Sequence, residues 1–328
     1  MMGITDIVIA ADGLAKTFDS VQAVTDVSFT VHEGEQFGFL GPNGAGKTTT
    51  INMLTGLVRP DNGTISISGI DCTKNPRVAQ HLIGVVPDES NLYPELSGFD
   101  NLTFCGSLYG MRKNKRTEQA RKLLEEFGLE KAANRKFGGY SKGMKRKLTI
   151  AAGIMHEPPI LFLDEPTTGI DVASARHIRQ LIADLHHNGT TIMLTTHYIE
   201  EAERLCGRIA FIVEGRIVRI DTIENLMQPV QGRYVLRFTL DNLPHGIEDD
   251  LSRAFPATEV TITARNELRI ESPEPQFLAP IVGFLDSRGI NVTEARLLRP
   301  SLEDVFVNIT GIETDAMKRE KEKKGGGA

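Results

Sequence analysis

Gly41-Pro42-Asn43-Gly44-Ala45-Gly46-Lys47-Thr48 is the stretch on which the fold turns. It fits G-x-x-x-x-G-K-[ST], a phosphate-binding loop. The glycines let the backbone curl so that several N–H groups point inward at phosphate oxygens. A helix beginning near Lys47 adds the positive end of its dipole. Lys47 has the reach for β- and γ-phosphates, and the Thr48 hydroxyl can ligate Mg²⁺. The flanks agree with this reading. The apolar Gln36–Leu40 (QFGFL) reads as a short strand, and Lys47–Leu57 has a helical pattern.

Such a loop needs a second strand that delivers a carboxylate to the metal. Ile160–Leu163 is apolar throughout, as a central strand of a parallel sheet should be. Asp164 then emerges at its C-terminal end, where ligands bind in open parallel sheets. Glu165 follows at once, placed to orient or deprotonate an attacking water.

Strand-like and helix-like segments alternate over the first ~230 residues, the pattern of an α/β core. Strands are expected at Val24–Val31, Thr64–Ile67, Leu82–Val86 and Thr191–Thr195, and helices at Ser174–His186 and Tyr198–Leu205. Arg208–Val213 and Arg216–Ile220 flank Glu214-Gly215 as a hairpin. Leu96–Met155 has helical spacing instead. Within it, between Arg112 and Lys147, basic residues outnumber acidic ones by about three to one. That suits a solvated helical face or one near anionic lipid or a membrane partner. Composition shifts at Gln228-Pro229. Beyond it the order is strand (Tyr234–Thr239), helix (Ile247–Phe255), two strands around Arg265-Asn266-Glu267, helix (Gln276–Arg288), strand (Val292–Leu298) and a last helix from Ser301. This is a small α+β domain. The expected organisation is 1–228 as the nucleotide-binding domain, with a helical subdomain at about 90–155, then 229–313 as the accessory domain. Residues 314–328, charged and glycine-rich, read as a disordered tail.

Composition excludes several classes. The 328 residues carry a net charge of −6, with 40% hydrophobic and 24% charged residues. Such a chain does not coat nucleic acid by charge alone. No apolar run approaches the ~20 residues that cross a bilayer. Asp6 and the lack of a basic start argue against a signal peptide. Cys72, Cys105 and Cys206 are far apart, form no disulfide or metal pattern, and read as buried apolar residues of a reducing compartment.

With these motifs in this order, the chain resembles the ATP-binding subunits of ABC transporters over about Ile7 to Met227. The resemblance implies an ABC-type P-loop NTPase fold, with ATP and Mg²⁺ as ligands. It places Gly41 to Lys47, Thr48 and Thr49 around the phosphates, and Phe18 as the aromatic that stacks on adenine. Tyr140-Ser141-Lys142-Gly143-Met144 resembles the signature sequence, where Ser141, Lys142 and Gly143 would meet the γ-phosphate held by the opposite subunit. Gly169-Ile170-Asp171 resembles the loop that sits across the dimer interface, and His197 the switch histidine. The metal set would be Thr48, Asp164 and Asp88, and the catalytic set Glu165, His197 and Lys47. Two positions depart from the common pattern. Asp88 stands where Gln is usual, which adds negative charge near the phosphates. Lys142 stands where the first signature Gly is usual, which adds positive charge.

Arg299-Pro300-Ser301-Leu302-Glu303-Asp304-Val305-Phe306 resembles the ending of subunits that pair with ABC-2-type permeases, mostly exporters. One P-loop and one signature make half a machine. The resemblance therefore implies a homodimer or heterodimer of ATPase subunits, peripheral on the cytoplasmic face of a membrane, driving a separate permease with no nucleic-acid partner. The alternative is an ABC-type ATPase acting on ribosomes or DNA. Such relatives join two domains or carry a long coiled coil, and neither is seen here. A third reading, a non-hydrolysing regulatory subunit, rests on Asp88 and Lys142 alone.

Overall fold

The computed structural model describes residues 6–228, 234–273, 278–298 and 301–312. The expected tail over 314–328, Arg299-Pro300 of the C-terminal motif, and Gln276, where the second helix of the accessory domain was expected to start, lie outside the described residues. The chain divides into two compact units, one built on Met1–Ile223 and one on Glu224–Asn308.

The first unit opens with two long antiparallel strands, β1 (Ile7–Phe18) and β2 (Val21–His32). Sequence pattern reveals only part of β2 and none of β1. Register shifts between Ala11 and Leu14, and again around Lys16, break the alternation that marks a half-buried strand. The central strand β3 (Gln36–Leu40) runs into the phosphate loop, and α1 (Lys47–Leu54) follows. This helix stops three residues short of the expected Leu57. Gly56 takes a left-handed φ of 74°, and the Leu57 amide turns back to Asn52 O at 2.8 Å. β4 (Asn62–Ile67) and β5 (Ile70–Asp71) complete a four-stranded sheet ordered β2-β1-β4-β5.

After α2 (Pro76–Gln80) and β6 (Ile83–Val86) come the helices α3 (Gly98–Leu108), α4 (Lys113–Glu126) and α5 (Lys142–Gly153). The core then resumes with β7 (Ile160–Asp164), α6 (Val172–His187), β8 (Thr191–Thr196), α7 (Ile199–Leu205), β9 (Arg208–Val213), β10 (Arg216–Thr222) and α8 (Ile223–Met227). Among the described residues the second sheet has the order β10-β9-β3-β8-β7-β6. All its neighbours are parallel except the β9–β10 hairpin. Strands β3, β7 and β8 are buried at every position, because both faces of the sheet are covered. Between the two sheets Phe29, Phe37 and Phe39 pack with centroids 5.0–5.7 Å apart. Cys72 and Cys206 are buried, whereas Cys105, on the α3 face, is only half-buried.

The second unit is β11 (Tyr234–Leu240), α9 (Ile247–Ala254), β12 (Glu259–Ala264), β13 (Glu267–Ser272), α10 (Leu278–Asp286), β14 (Val292–Leu298) and α11 (Leu302–Thr310). Its sheet order, β12-β13-β11-β14, all antiparallel, is the βαββαβ arrangement of ferredoxin-like domains. One face packs Leu236, Phe238, Leu268 and Ile270 against Ile281 and Leu285 of α10. On the other, Arg237 lies opposite both Arg269 and Arg296, and each arginine is paired with a carboxylate. Ser301 and Asp304 open α11 as a reciprocal cap: the Ser301 amide donates to Asp304 Oδ2 at 2.9 Å, and the Asp304 amide to Ser301 Oγ at 3.4 Å.

Candidate functional site

The C-terminal ends of β3, β7 and β8 lie side by side in register, Leu40 against Thr196 and Asp164 against Thr195. The loops that follow them therefore converge. The loop after β3 needs its glycines. Gly46 has φ 98°, and a Cβ there would come within 2.5 Å of Ala23 O on β2. Only glycine fits both demands. The same approach brings the β1–β2 hairpin beside the loop. At that hairpin's tip Phe18 pairs with Val21 and is 45% exposed, with Lys16 Nζ 5.4 Å from its ring centroid.

Helix α1 starts at Gly46 with no side-chain cap and no acidic residue in its first turn. A helix N-terminus without a carboxylate in its first turn suits an anion. Thr48 is exposed in that first turn and Thr49 half-buried. Lys47 is buried and donates to Gly41 O at 2.8 Å and to Pro42 O at 3.1 Å. Its ammonium also lies 3.3 Å from Glu165 Oε1.

Glu165 is the centre of the cluster. Its other oxygen, Oε2, meets His197 Nδ1 at 2.8 Å and accepts from Thr168 Oγ1 at 2.9 Å. Lys47, Glu165 and His197 thus form one buried chain. Burial works against the Glu165 charge. The hydrogen bond with His197, the charges of Lys47 and His197 and the Thr168 hydroxyl outweigh it, so the carboxyl sits below its ordinary range. Glu165 is therefore ionised at neutral pH. Its backbone is left-handed, φ 49°, unusual for a non-glycine residue. Asp164, one residue earlier, is buried and accepts from the Thr195 hydroxyl. Asp88 is exposed in the loop after β6, and its carbonyl accepts from Arg146 Nη1 at 3.1 Å. Among the described residues no three His, Cys, Asp or Glu side chains form a metal cage. A hydroxyl and one or two carboxylates are the partial oxygen set that Mg²⁺ completes with phosphate oxygens and water.

Three more of the sequence-derived residues, Ser141, Lys142 and Asp171, lie at the surface. Ser141 caps α5, its Oγ accepting from the Met144 amide at 3.3 Å, and Lys142 is exposed beside it. Asp171 caps α6 by accepting from the Ser174 amide at 2.9 Å. Gly143 joins them, because a Cβ there would meet Ser174 Oγ at 2.3 Å and Asp171 Oδ2 at 3.8 Å. The structure thus brings Ser141, Lys142, Gly143 and Asp171 into one patch, and Lys47, Asp164, Glu165 and His197 into another.

Two residues that sequence reading did not single out hold these loops. Glu201 on α7 is buried and accepts from Thr167 Oγ1 at 2.5 Å and Thr196 Oγ1 at 2.6 Å. Burial raises its carboxyl above the usual range despite both hydroxyls. Arg146 on α5 is also buried. It donates to Pro166 O at 2.9 Å, Asp164 O at 2.6 Å, Asp88 O at 3.1 Å and Pro87 O. The signal for it was helical spacing: Arg146 is three residues after Gly143 and four before Ile150, on the buried stripe of α5.

Known proteins resemble this chain along most of its length. A family model described as "ABC transporter" matches residues 24–168. The linearmycin resistance ATP-binding protein of Bacillus subtilis (strain 168) is 35% identical over 304 residues, 92% of this chain and 97% of that protein. A Nod factor export ATP-binding protein of Burkholderia lata is 40% identical over 301 residues, 91% and 95% of the two chains. A daunorubicin/doxorubicin resistance ATP-binding protein of Streptomyces peucetius is 35% identical, with 95% of each chain covered. Among solved structures, an ATP-binding subunit of an ABC transporter superposes with TM-score 0.62 at 30% identity, over 68% of this chain and 92% of that one. A dimeric ATP-binding cassette in a post-hydrolysis state with ADP and Pi gives TM-score 0.61 at 27% identity, over 66% and 98%.

Proposed function

This chain belongs to the ABC transporter family as an ATP-binding subunit, and from that premise we propose that it hydrolyses ATP between two such subunits to drive a separate ABC-2-type export permease. The observation that carries the reading is the buried Lys47–Glu165–His197 chain at the end of three parallel strands. Phe18 stacks on the adenine, and the loop from Gly41 to Thr49 holds the phosphates. Thr48, Asp164 and Asp88 would hold a Mg²⁺ ion, which when bound would supply positive charge at the phosphates. Lys47 exchanges its loop carbonyls and Glu165 for phosphate oxygens. Glu165, ionised and freed on one side, takes a proton from the attacking water or aligns it. His197 holds the γ-phosphate while remaining beside Glu165. Ser141, Lys142 and Gly143 act on the nucleotide of the opposite subunit, with Asp171 at the seam.

The partner reading draws on the relatives, which are named for drug resistance and Nod factor export. A cleft of about 630 Å³ in the first unit supports it as a seat for the permease. The cleft is walled by Leu57 and Leu108, 66% and 68% exposed, with Pro87 at its edge, one residue from Asp88. Among the described residues no helix is long and apolar enough to cross a membrane. Attachment to the cytoplasmic face then comes through the permease. The domains expected from the sequence, 1–228 and 229–313, serve as ATPase and accessory domain in this scheme.

The test is to purify the full chain with what accompanies it from detergent-extracted membranes, and to measure ATPase activity of wild type and Glu165→Gln. A polytopic permease in the complex and loss of turnover with ATP binding intact are expected. Ribosomal or DNA-repair proteins without a membrane protein would overturn the partner.

A further inference from the structure

Arg146 has an unusual set of partners for a buried cation. All four hydrogen bonds from its guanidinium go to backbone carbonyls, on two separate segments. Asp164 and Pro166 flank Glu165, so the fork grips the carbonyls on both sides of the left-handed residue. A non-glycine residue held at such a φ is strained and persists only where its surroundings over-determine it. Pro87 and Asp88 form the other segment. One turn along α5, Thr149 Oγ1 donates to Ser90 Oγ at 2.8 Å, a second tie to that loop. The same helix opens with Ser141 and Gly143.

We propose that Arg146 is a positioning residue for hydrolysis: it sets the backbone that aims Glu165 between Lys47 and His197, and ties that setting to the signature helix and the Asp88 loop. This rests on the reading of Glu165 given above. Lysine cannot replace it. An ammonium on a flexible stem has no planar fork with which to hold Asp164, Pro166, Pro87 and Asp88 together. The carboxylates of Asp88, Asp164, Glu165 and Glu201 surround the guanidinium without sharing those four bonds and supply its counter-charge.

The experiment compares the full chain with Arg146→Lys, Arg146→Gln, Glu165→Gln and the Arg146→Lys/Glu165→Gln double variant, in steady-state ATPase assays with thermal melts. Arg146→Lys should lower kcat at least tenfold while KM for ATP stays within threefold. The double variant should turn over no more slowly than Glu165→Gln alone, because Arg146 acts through Glu165. A kcat within twofold of wild type, a KM that rises in step with the loss, or additive losses in the double variant would overturn the proposal. So would recovery of both Arg146 variants only as unfolded protein, since Arg146 would then be a structural residue. Normal turnover by Glu165→Gln overturns instead the reading of Glu165 itself, and the proposal with it.

Discussion

The two groups of residues that the sequence links to ATP are built in opposite ways. Lys47, Glu165 and His197 are buried and bonded to one another, each satisfied within the chain. Ser141, Lys142 and Asp171 stand in solvent, and Ser141 and Asp171 do no more than cap helices of their own chain. The first group is preorganised within the chain. In the proposed reading the second is completed by a second subunit.

The sharpest way to break this comparison is at the buried centre. Glu165→Gln should slow hydrolysis by about 10²–10⁴-fold, the usual worth of a general base. ATP affinity, read by calorimetry, should hold. Next comes the exposed patch. Ser141→Asp keeps a good helix cap but places a carboxylate where the γ-phosphate of the opposite subunit would lie. Its melting temperature should stay near wild type while turnover falls by more than about tenfold, on the order of one lost charge-assisted hydrogen bond. Unchanged turnover would remove the patch from the reaction.

A third variant probes the support beneath the centre. Glu201→Ala removes the acceptor of the buried Thr167 and Thr196 hydroxyls and should cost about 1–3 kcal/mol in denaturant unfolding. Glu201→Gln should cost less and should change the pH dependence. Because the folded carboxyl lies above its unfolded value, this group favours folding below the ordinary carboxylate range. Its contribution is lost as pH rises through the raised value, and the glutamine variant should not show that loss. Glu165 has the opposite sign: its contribution is present above the ordinary carboxylate value and is lost as pH falls.

A smaller effect is expected at His156, which stacks on Tyr109 with centroids 3.5 Å apart. Burial pushes its pKa from 6.5 down to about 4. Between those values the unfolded chain binds the extra proton, so stability is complete above 6.5 and declines as pH falls toward 4. His156→Phe, which keeps the stack, should flatten that part of a melting-temperature profile. The smallest effect belongs to the exposed face of the second unit. Arg296→Ala should change stability by no more than about 0.5 kcal/mol, since its partner Glu294 is as solvated as it is.

Legibility in the sequence followed the same division between local and assembled features. Gly41–Thr48 and Ile160–Glu165 are contiguous, and each states its own conformation: glycines for a curled loop, an apolar run for a covered strand. Their neighbourhood could be inferred because strand ends of one parallel sheet share an edge. β1 was not legible, since its register shifts scatter apolar residues off any period. Arg146 was hidden between Lys145 and Lys147, three cations alike in composition.

What the sequence determined alone, then, was the loop, the acidic strand end and the order of most elements, because backbone conformation and strand burial are set by residues near in the chain. Only the tertiary structure decided that Arg146 turns inward to hold the carbonyls around Glu165, and that Glu201 gathers Thr167 and Thr196. A charged side chain is buried only where distant segments together supply its hydrogen bonds. No local pattern records which segments those will be.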